Sequence, residues 1–276
     1  MHSTGISSNE IEMDTTVSSQ FVSALLMAGV MIPEGLKLKM SGSRTEGAYI
    51  KLTLSMMKQF GIDVFRKENQ FYIPFNSSYQ IPVYQVEPDV SGACYFYAMS
   101  VLLGITVVVK DVHFTSIQGD IKFLDVLKQL GCSIEDTDNG ISVRGTKDGT
   151  YPGIVVDMND FSDQTMTLAA IAPFATSETI IKNIAHIRFQ ETDRICAIVK
   201  ELTRLGIKCE ECEEYKGISI QPGTIIPAAV ETYDDHRIAM AFTLIGLRVG
   251  GIVINNYKCC AKTFENYFDI IDDLTK

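Results

Sequence analysis

The chain of 276 residues is 46% hydrophobic and 21% charged, which suits one large or two medium globular units and excludes a disordered chain. Its 24 basic and 34 acidic residues leave a formal charge of -10, which argues against a general nucleic-acid or anionic-membrane surface, so any anion site must be local. Seven cysteines, an odd number in a long chain, fit reduced cytosolic thiols better than a disulfide framework.

In chain order, Met1 to Asp14 is polar and lacks the apolar core of a signal peptide, and the most apolar run, Phe21 to Ile32, is too short to cross a bilayer. A soluble cytoplasmic protein without membrane attachment is expected. From Val17 to Ile73 the pattern is that of an α/β unit that has lost its first strand or begins late. The polar, proline-bearing stretch Asn76 to Pro82 marks a link, dividing the chain into residues 1–78 and 79–276. A second unit follows: strand Ile81 to Val86, helix Ser91 to Leu103, strand Ile105 to Val109, helix Gly119 to Leu130, and two short strands ending at Val143. A third runs from about Ile154 to Ile220, and a fourth starts near Ala228 and ends with a helix from Thr263 to Leu274.

Three segments share one pattern of helix end, glycine stop and strand: Met57 to Val64, Leu127 to Ile134 and Leu202 to Cys209. Their glycines, Gly61, Gly131 and Gly206, lie 70 and 75 residues apart, so an α/β unit of about that length recurs.

The first helix of every unit begins with a polar cluster: Ser18-Ser19-Gln20, Asp89-Val90-Ser91, Ser162-Asp163-Gln164 and Asp234-Asp235-His236-Arg237. Second helices begin near Glu46, Asp120, Gln190-Glu191 and Lys262-Thr263, and the stretch from His186 to Arg194 opens a helix whose Ile195, Ile198, Val199, Leu202 and Leu205 repeat at helical spacing. Gln190, Glu191 and Arg194 then crowd one first turn, as an anion fork or as no more than a surface ion pair. Capping accounts for the serines and aspartates. It does not account for Arg194, His236, Arg237 and Lys262, because cations at helix N-termini oppose the dipole, so an anion is expected to compensate them.

Cys209-Glu-Glu-Cys212 and Cys259-Cys260 raise a metal or redox reading. The first falls in an apparent strand pair and the second is not a zinc-ligand spacing, so no metal is expected. Neither a Walker loop nor a GxGxxG occurs, which leaves nucleotide binding unsupported.

Ser18-Ser19-Gln20-Phe21-Val22-Ser23-Ala24-Leu25-Leu26, Asp157 to Asp163, Arg188-Phe-Gln-Glu-Thr-Asp-Arg194, Asp234-Asp-His-Arg237 and Ala261-Lys-Thr-Phe264, in this order and spacing, closely resemble the 5-enolpyruvylshikimate-3-phosphate synthase family of enolpyruvyl transferases. The resemblance runs from about Val17 to the end. It implies an α/β (α+β) fold of repeated βαβαββ units, three per domain, with helix N-termini facing an interdomain cleft. Residues 1–78 would be an incomplete shikimate 3-phosphate-binding domain and 79–276 the phosphoenolpyruvate-facing domain. Set against the family, roughly the first third is missing, with its Lys-Ser and arginines. Gln190 stands where many members carry lysine, and Glu46 where a phosphate-contacting serine is usual.

The reaction implied by the resemblance adds the 5-hydroxyl of shikimate 3-phosphate to C2 of phosphoenolpyruvate, protonates C3 and expels phosphate from a tetrahedral intermediate, without metal or organic cofactor. By the same resemblance Asp163 would deprotonate the hydroxyl, and Glu191 with Lys262 would deliver the proton, which requires the two carboxylates to sit in different fields. Arg194, Arg237 and Lys262 would clamp phosphoenolpyruvate together with His236, His186 and Gln190 would also bind substrate, and Ser18, Ser19, Gln20 and Tyr49 would bind shikimate 3-phosphate. Asp89 is assigned to domain geometry. A separate amino-terminal fragment is the protein partner this implies, with no turnover expected from the chain alone. The alternatives are a non-catalytic fragment or half of a split enzyme and, with a weaker motif match, a UDP-N-acetylglucosamine enolpyruvyl transferase.

Overall fold

The computed structural model describes residues 8–15, 20–42, 47–75, 77–81 and 83–276. By their contacts the residues fall into two compact units, Met1–Val86 with Ile117–Gly119, and Glu87–Ser116 with Asp120–Lys276.

The first unit is a single βαβαββ motif: β1 (Glu10–Asp14), α1 (Gln20–Gly29), β2 (Leu36–Ser41), α2 (Ala48–Gln59), β3 (Phe65–Lys67) and β4 (Gln70–Ile73). The sheet runs β1-β2-β4-β3, with β1 parallel to β2 and the remaining pairs antiparallel. Period-two patterning sets its faces: Leu36, Leu38 and Met40 are buried with Val22, Leu26, Ile50 and Phe71, while Lys37 and Lys39 point out. The strand expected to be missing is therefore present. Its Glu-Ile-Glu-Met-Asp reads as polar, yet it alternates, and Glu10 and Glu12 stand opposite Lys37 and Lys39, ion-paired at 2.5 and 3.3 Å.

The expected strand Ile81 to Val86 does not form among the described residues, and Val83 is 83% exposed. Aromatic anchoring holds the stretch instead. Tyr79 and Tyr84 pack on Phe60 just past α2, with ring centroids 6.3 and 5.0 Å away, and the Gln80 N–H donates to the Phe60 carbonyl at 3.1 Å.

Three repeats make the second unit. In the first, α3 (Val90–Leu103) leads to β5 (Thr106–Lys110), a 3-10 turn at Gly119–Lys122, α4 (Phe123–Gln129), β6 (Ser133–Thr137) and β7 (Gly140–Arg144), in sheet order β5-β7-β6. The second comprises β8 (Val155–Asp157), α5 (Thr165–Ile171), β9 (Thr179–Lys182), α6 (Arg194–Arg204), β10 (Cys209–Cys212) and β11 (Gly217–Ile220), in order β10-β11-β9-β8. Its strand order and its parallel first pair repeat those of the first unit. The third has β12 (Ala229–Val230) parallel to β13 (Val253–Ile254), with α7 (His236–Arg248) between them, a 3-10 turn at Tyr257–Lys262 and α8 (Tyr267–Thr275).

The first helices α3, α5 and α7 pack on one another in all three pairings. Such central helices need apolar residues all round rather than on one stripe, and α3 buries Val90, Ala93, Cys94, Tyr95, Tyr97, Ala98, Val101 and Leu102. The shared glycine stops are left-handed turns, at φ +84° for Gly61, +96° for Gly131 and +81° for Gly206. In each, the next N–H reaches back to a carbonyl five residues earlier, Ile62 to Met57, Cys132 to Leu127 and Ile207 to Leu202, at 2.9–3.0 Å.

Helix starts differ from the sequence expectation. The helix expected from Gly119 begins with the 3-10 turn, and the one expected at Thr263 begins at Tyr267. The helix expected near Gln190 begins at Arg194, because Asp193 accepts the Cys196 N–H at 2.9 Å and is the better cap. All seven cysteines are free thiols, with Cys209 and Cys212 on a hairpin strand. Among the described residues no helix is long and apolar enough to cross a membrane.

Candidate functional site

Arg194, the first residue of α6, is only 2% exposed, and a buried guanidinium must find carboxylates. Asp235, fully buried, accepts from Arg194 Nε at 2.7 Å and Nη2 at 3.3 Å. The same carboxylate caps α7, its Oδ1 taking the Arg237 N–H at 2.8 Å. Asp163, in the 3-10 turn Ser162–Gln164 ahead of α5, receives Arg194 Nη1 on Oδ1 at 3.1 Å and Arg237 Nη2 on Oδ2 at 2.9 Å. Gln190 Oε1 also accepts from Arg194 Nη1, so the amide faces the guanidinium as an acceptor. The starts of α5, α6 and α7 thus meet in one alternating array of charge.

A second carboxylate lies in a different field. Glu191 is exposed, bonded through Oε2 to the Lys262 ammonium and 3.3 Å from His236 Nδ1. Burial holds the His236 imidazole below its ordinary pKa, helped by the Arg237 and Lys262 charges and opposed by Glu191 and Asp235. Neutral imidazole is the resting form. Glu191, Asp235 and His236 bring ligand atoms within 4.8 Å of one another, but Lys262 and Arg194 already bond these carboxylates, so the set does not fit a metal cation.

Behind Asp163 lies a buried carboxylate, Asp120. Its Oδ2 accepts from Ser91 Oγ at 2.5 Å and Gln164 Nε2 at 2.7 Å, joining the starts of α3 and α5. Burial, reinforced by the Asp163 charge, pushes Asp120 up to about 6. On the other side of Arg237 a pocket of about 70 Å³ is lined by Ser91, Gly92, Tyr95, His236, Arg237 and Thr263 among others.

Comparison with known proteins gives this array a family. A family profile described as EPSP synthase (3-phosphoshikimate 1-carboxyvinyltransferase) matches residues 2–271. The chain belongs to the EPSP synthase family. The 3-phosphoshikimate 1-carboxyvinyltransferase of Nostoc punctiforme is 45% identical over 269 residues, 97% of this chain and 62% of that protein. The Vibrio vulnificus protein of the same name is 39% identical over 278 residues, 100% of this chain and 64% of its own length. A solved structure of EPSP synthase from Acinetobacter baumannii superposes with a TM-score of 0.75 at 25% identity, covering 96% of this chain and 62% of that one. The chain therefore spans about 62–64% of the length of these EPSP synthase relatives.

Within this family frame, Asp163, Gln190, Arg194 and Arg237 form one hydrogen-bonded cluster and Glu191, His236 and Lys262 a second, with His236 Nδ1 3.7 Å from the Asp235 carboxylate that holds Arg194. His186 is set to one side, its Nε2 2.8 Å from Ser162 Oγ. In the first unit Gln20 opens α1 and Tyr49 is in the first turn of α2, both exposed. Tyr49 at 43% exposure is thus not a core aromatic. Ser18, Ser19 and Glu46 lie outside the described residues. The sequence reading did not single out Asp235, Asp120 or Gln164 as site residues. Asp235 looked like a cap and is one, and its second bond, to a residue 41 positions away, has no local signature.

Proposed function

We propose that this chain takes part in transferring the enolpyruvyl group of phosphoenolpyruvate to the 5-hydroxyl of shikimate 3-phosphate, with release of phosphate. Membership of the EPSP synthase family supports this. The observation that carries it is the pair of carboxylates in unlike fields: Asp163 buried between two guanidiniums, and Glu191 exposed against an ammonium and a neutral imidazole. Two guanidiniums donate to Asp163, which leaves its carboxylate facing the site as a candidate base. Glu191 and Lys262 form an exposed acid-and-ammonium pair able to pass a proton to C3.

In this reading the hydroxyl oxygen bonds to C2 while its proton goes to Asp163, and C3 takes a proton from the Glu191–Lys262 pair. Phosphate then leaves C2, carrying off the proton held by Asp163, as C3 returns a proton to the Glu191–Lys262 pair. Arg194, Arg237 and Lys262 stabilise the carboxylate and the departing phosphate. Gln20 and Tyr49, with Ser18 and Ser19, are assigned to shikimate 3-phosphate. The roughly one third of the relatives' length that this chain does not span supplies the remaining substrate contacts.

A phosphate-release assay with both substrates tests this, on the chain alone and mixed with the portion of the Nostoc punctiforme relative that it does not match. Turnover is expected in the mixture, and its loss is expected with Asp163→Ala or Lys262→Met. A mixture that forms a complex yet releases no phosphate would sink the proposal and leave the second reading, a chain that binds phosphoenolpyruvate-like anions without turnover. Gln190 favours that reading, since its acceptor oxygen stands on Arg194 in place of a further cation.

A further inference from the structure

Between β12 and α7 the chain makes a turn, closed by the Asp235 N–H on the Thr232 carbonyl at 2.8 Å. Both residues inside it are left-handed, Tyr233 at φ +53° and Asp234 at φ +58°. Turns of this kind favour Asn-Gly, because a Cβ crowds the backbone in this region, and a bulky side chain there is strained. Among the described residues this is the only neighbouring pair of non-glycines at positive φ, and Tyr233 is the only aromatic residue so held. Such strain persists only where the surroundings over-determine it.

What holds Tyr233 is Glu201, a fully buried residue of α6. Glu201 Oε1 accepts the Tyr233 hydroxyl at 2.6 Å and Oε2 accepts the Glu231 N–H at 3.0 Å, with Arg204 Nε 3.3 Å from Oε2. Burial and the Glu201 carboxylate raise the phenol above its ordinary pKa, so it stays a donor at neutral pH. Glycine would take this backbone without strain, but it could not reach Glu201.

The turn is tied to every cation of the site. Glu201 lies two helical turns beyond Arg194, so both occupy one face of α6, Arg194 gripping Asp235 while Glu201 grips Glu231 and Tyr233. Asn255 Nδ2 donates to Glu231 Oε1 at 2.6 Å and Asn256 Nδ2 to Asp234 Oδ1 at 3.1 Å, directly ahead of the 3-10 turn that ends in Lys262. Past Asp235 the chain enters α7 with His236 and Arg237, which line the pocket of about 70 Å³.

We infer that Tyr233 is a positioning residue, whose hydroxyl on the buried Glu201 carboxylate holds the left-handed turn that sets His236 and Arg237 for the anion. The inference deepens the reading above, on which that anion is phosphoenolpyruvate.

Calorimetric titration of phosphoenolpyruvate into the full chain and its Tyr233→Phe, Tyr233→Gly and Tyr233→Asn variants tests it, each first shown to be folded by circular dichroism. Glu201 keeps the Glu231 N–H and Arg204 in all three. Tyr233→Phe retains the ring but releases the tether, so it should bind about tenfold more weakly, in proportion to the chains that leave the turn. Glycine and asparagine accept the left-handed backbone unaided, so both variants should bind within about threefold of the parent, although they lose the ring and melt at a lower temperature. A role in packing alone gives the reverse order, with affinity following melting temperature. Parent-like binding by Tyr233→Phe, or binding by Tyr233→Gly and Tyr233→Asn no tighter than that of Tyr233→Phe, overturns the inference and leaves the proposed function standing. Should Tyr233→Gly not fold, Tyr233→Asn decides by the same order. A parent chain that does not bind phosphoenolpyruvate overturns both.

Discussion

Arg194 and Asp235 meet at 2.7 Å with both side chains essentially out of water, and Asp235 holds this contact while capping the helix that carries His236 and Arg237. The geometry of α6 relative to α7 therefore depends on one carboxylate. Asp235→Ala should destabilise the second unit by about 3–5 kcal/mol, because it strands a buried guanidinium and removes a cap. Asp235→Asn, which keeps an acceptor, should cost less. Urea denaturation of the two variants measures the difference.

Asp120 gives a pH dependence of stability with a definite sign. Its folded pKa is pushed up to about 6 from an ordinary 3.8, chiefly by burial. The fold thus prefers the protonated acid, and this contribution is complete below about 3.8 and lost as pH rises through about 6. The loss amounts to up to about 3 kcal/mol. Asp120→Asn keeps an acceptor for Ser91 and Gln164, so its melting temperature should gain on the parent's between pH 4 and 7. Parallel profiles would show that Asp120 ionises freely in the fold.

Lys262 and Glu191 are bonded but half exposed, at 47% and 37% of their side-chain surface, so solvent screens the pair. Lys262→Met should change stability by no more than about 1 kcal/mol. On the complemented enzyme the same change should lower kcat about a hundredfold or more, if the ammonium acts on charge that develops during transfer. Denaturation curves beside steady-state rates separate the two effects.

Gln190 offers a trade between stability and binding. Its oxygen accepts from Arg194, and a lysine there would lose that acceptor and face a guanidinium. Gln190→Lys should cost about 1 kcal/mol of stability. It should also tighten phosphoenolpyruvate binding by the charge it adds. Melting with and without the ligand reads both, because a tighter ligand raises the melting temperature more.

What the sequence made legible follows physical range. The glycine stops at Gly61, Gly131 and Gly206 are local, since a left-handed turn and its backbone bonds involve neighbours alone, and they mark the repeat in the sequence itself. The cations at helix starts were legible for a similar reason: Arg194 and Arg237 violate a local preference and so required an explanation, whereas Lys262 closes a 3-10 turn, where a cation opposes nothing. Less legible was anything set by partners distant in sequence. Glu10–Asp14 reads as polar until Lys37 and Lys39 stand opposite it, and Ile81 to Val86 reads as a strand until Phe60 gathers its tyrosines. Asp120, paired with residues 29 and 44 positions away, carried no motif at all.

The most direct test of the central claim, that the helix starts of the second unit are the phosphoenolpyruvate site, is calorimetric titration of phosphoenolpyruvate into the chain and its Arg237→Gln variant. Arg237 is part buried and pairs with Asp163, so circular dichroism should first show that the variant is folded. Saturable binding by the parent is expected, with an affinity lower by at least about tenfold in the variant, as loss of a charge-assisted contact implies. Equal affinities in parent and variant would contradict it.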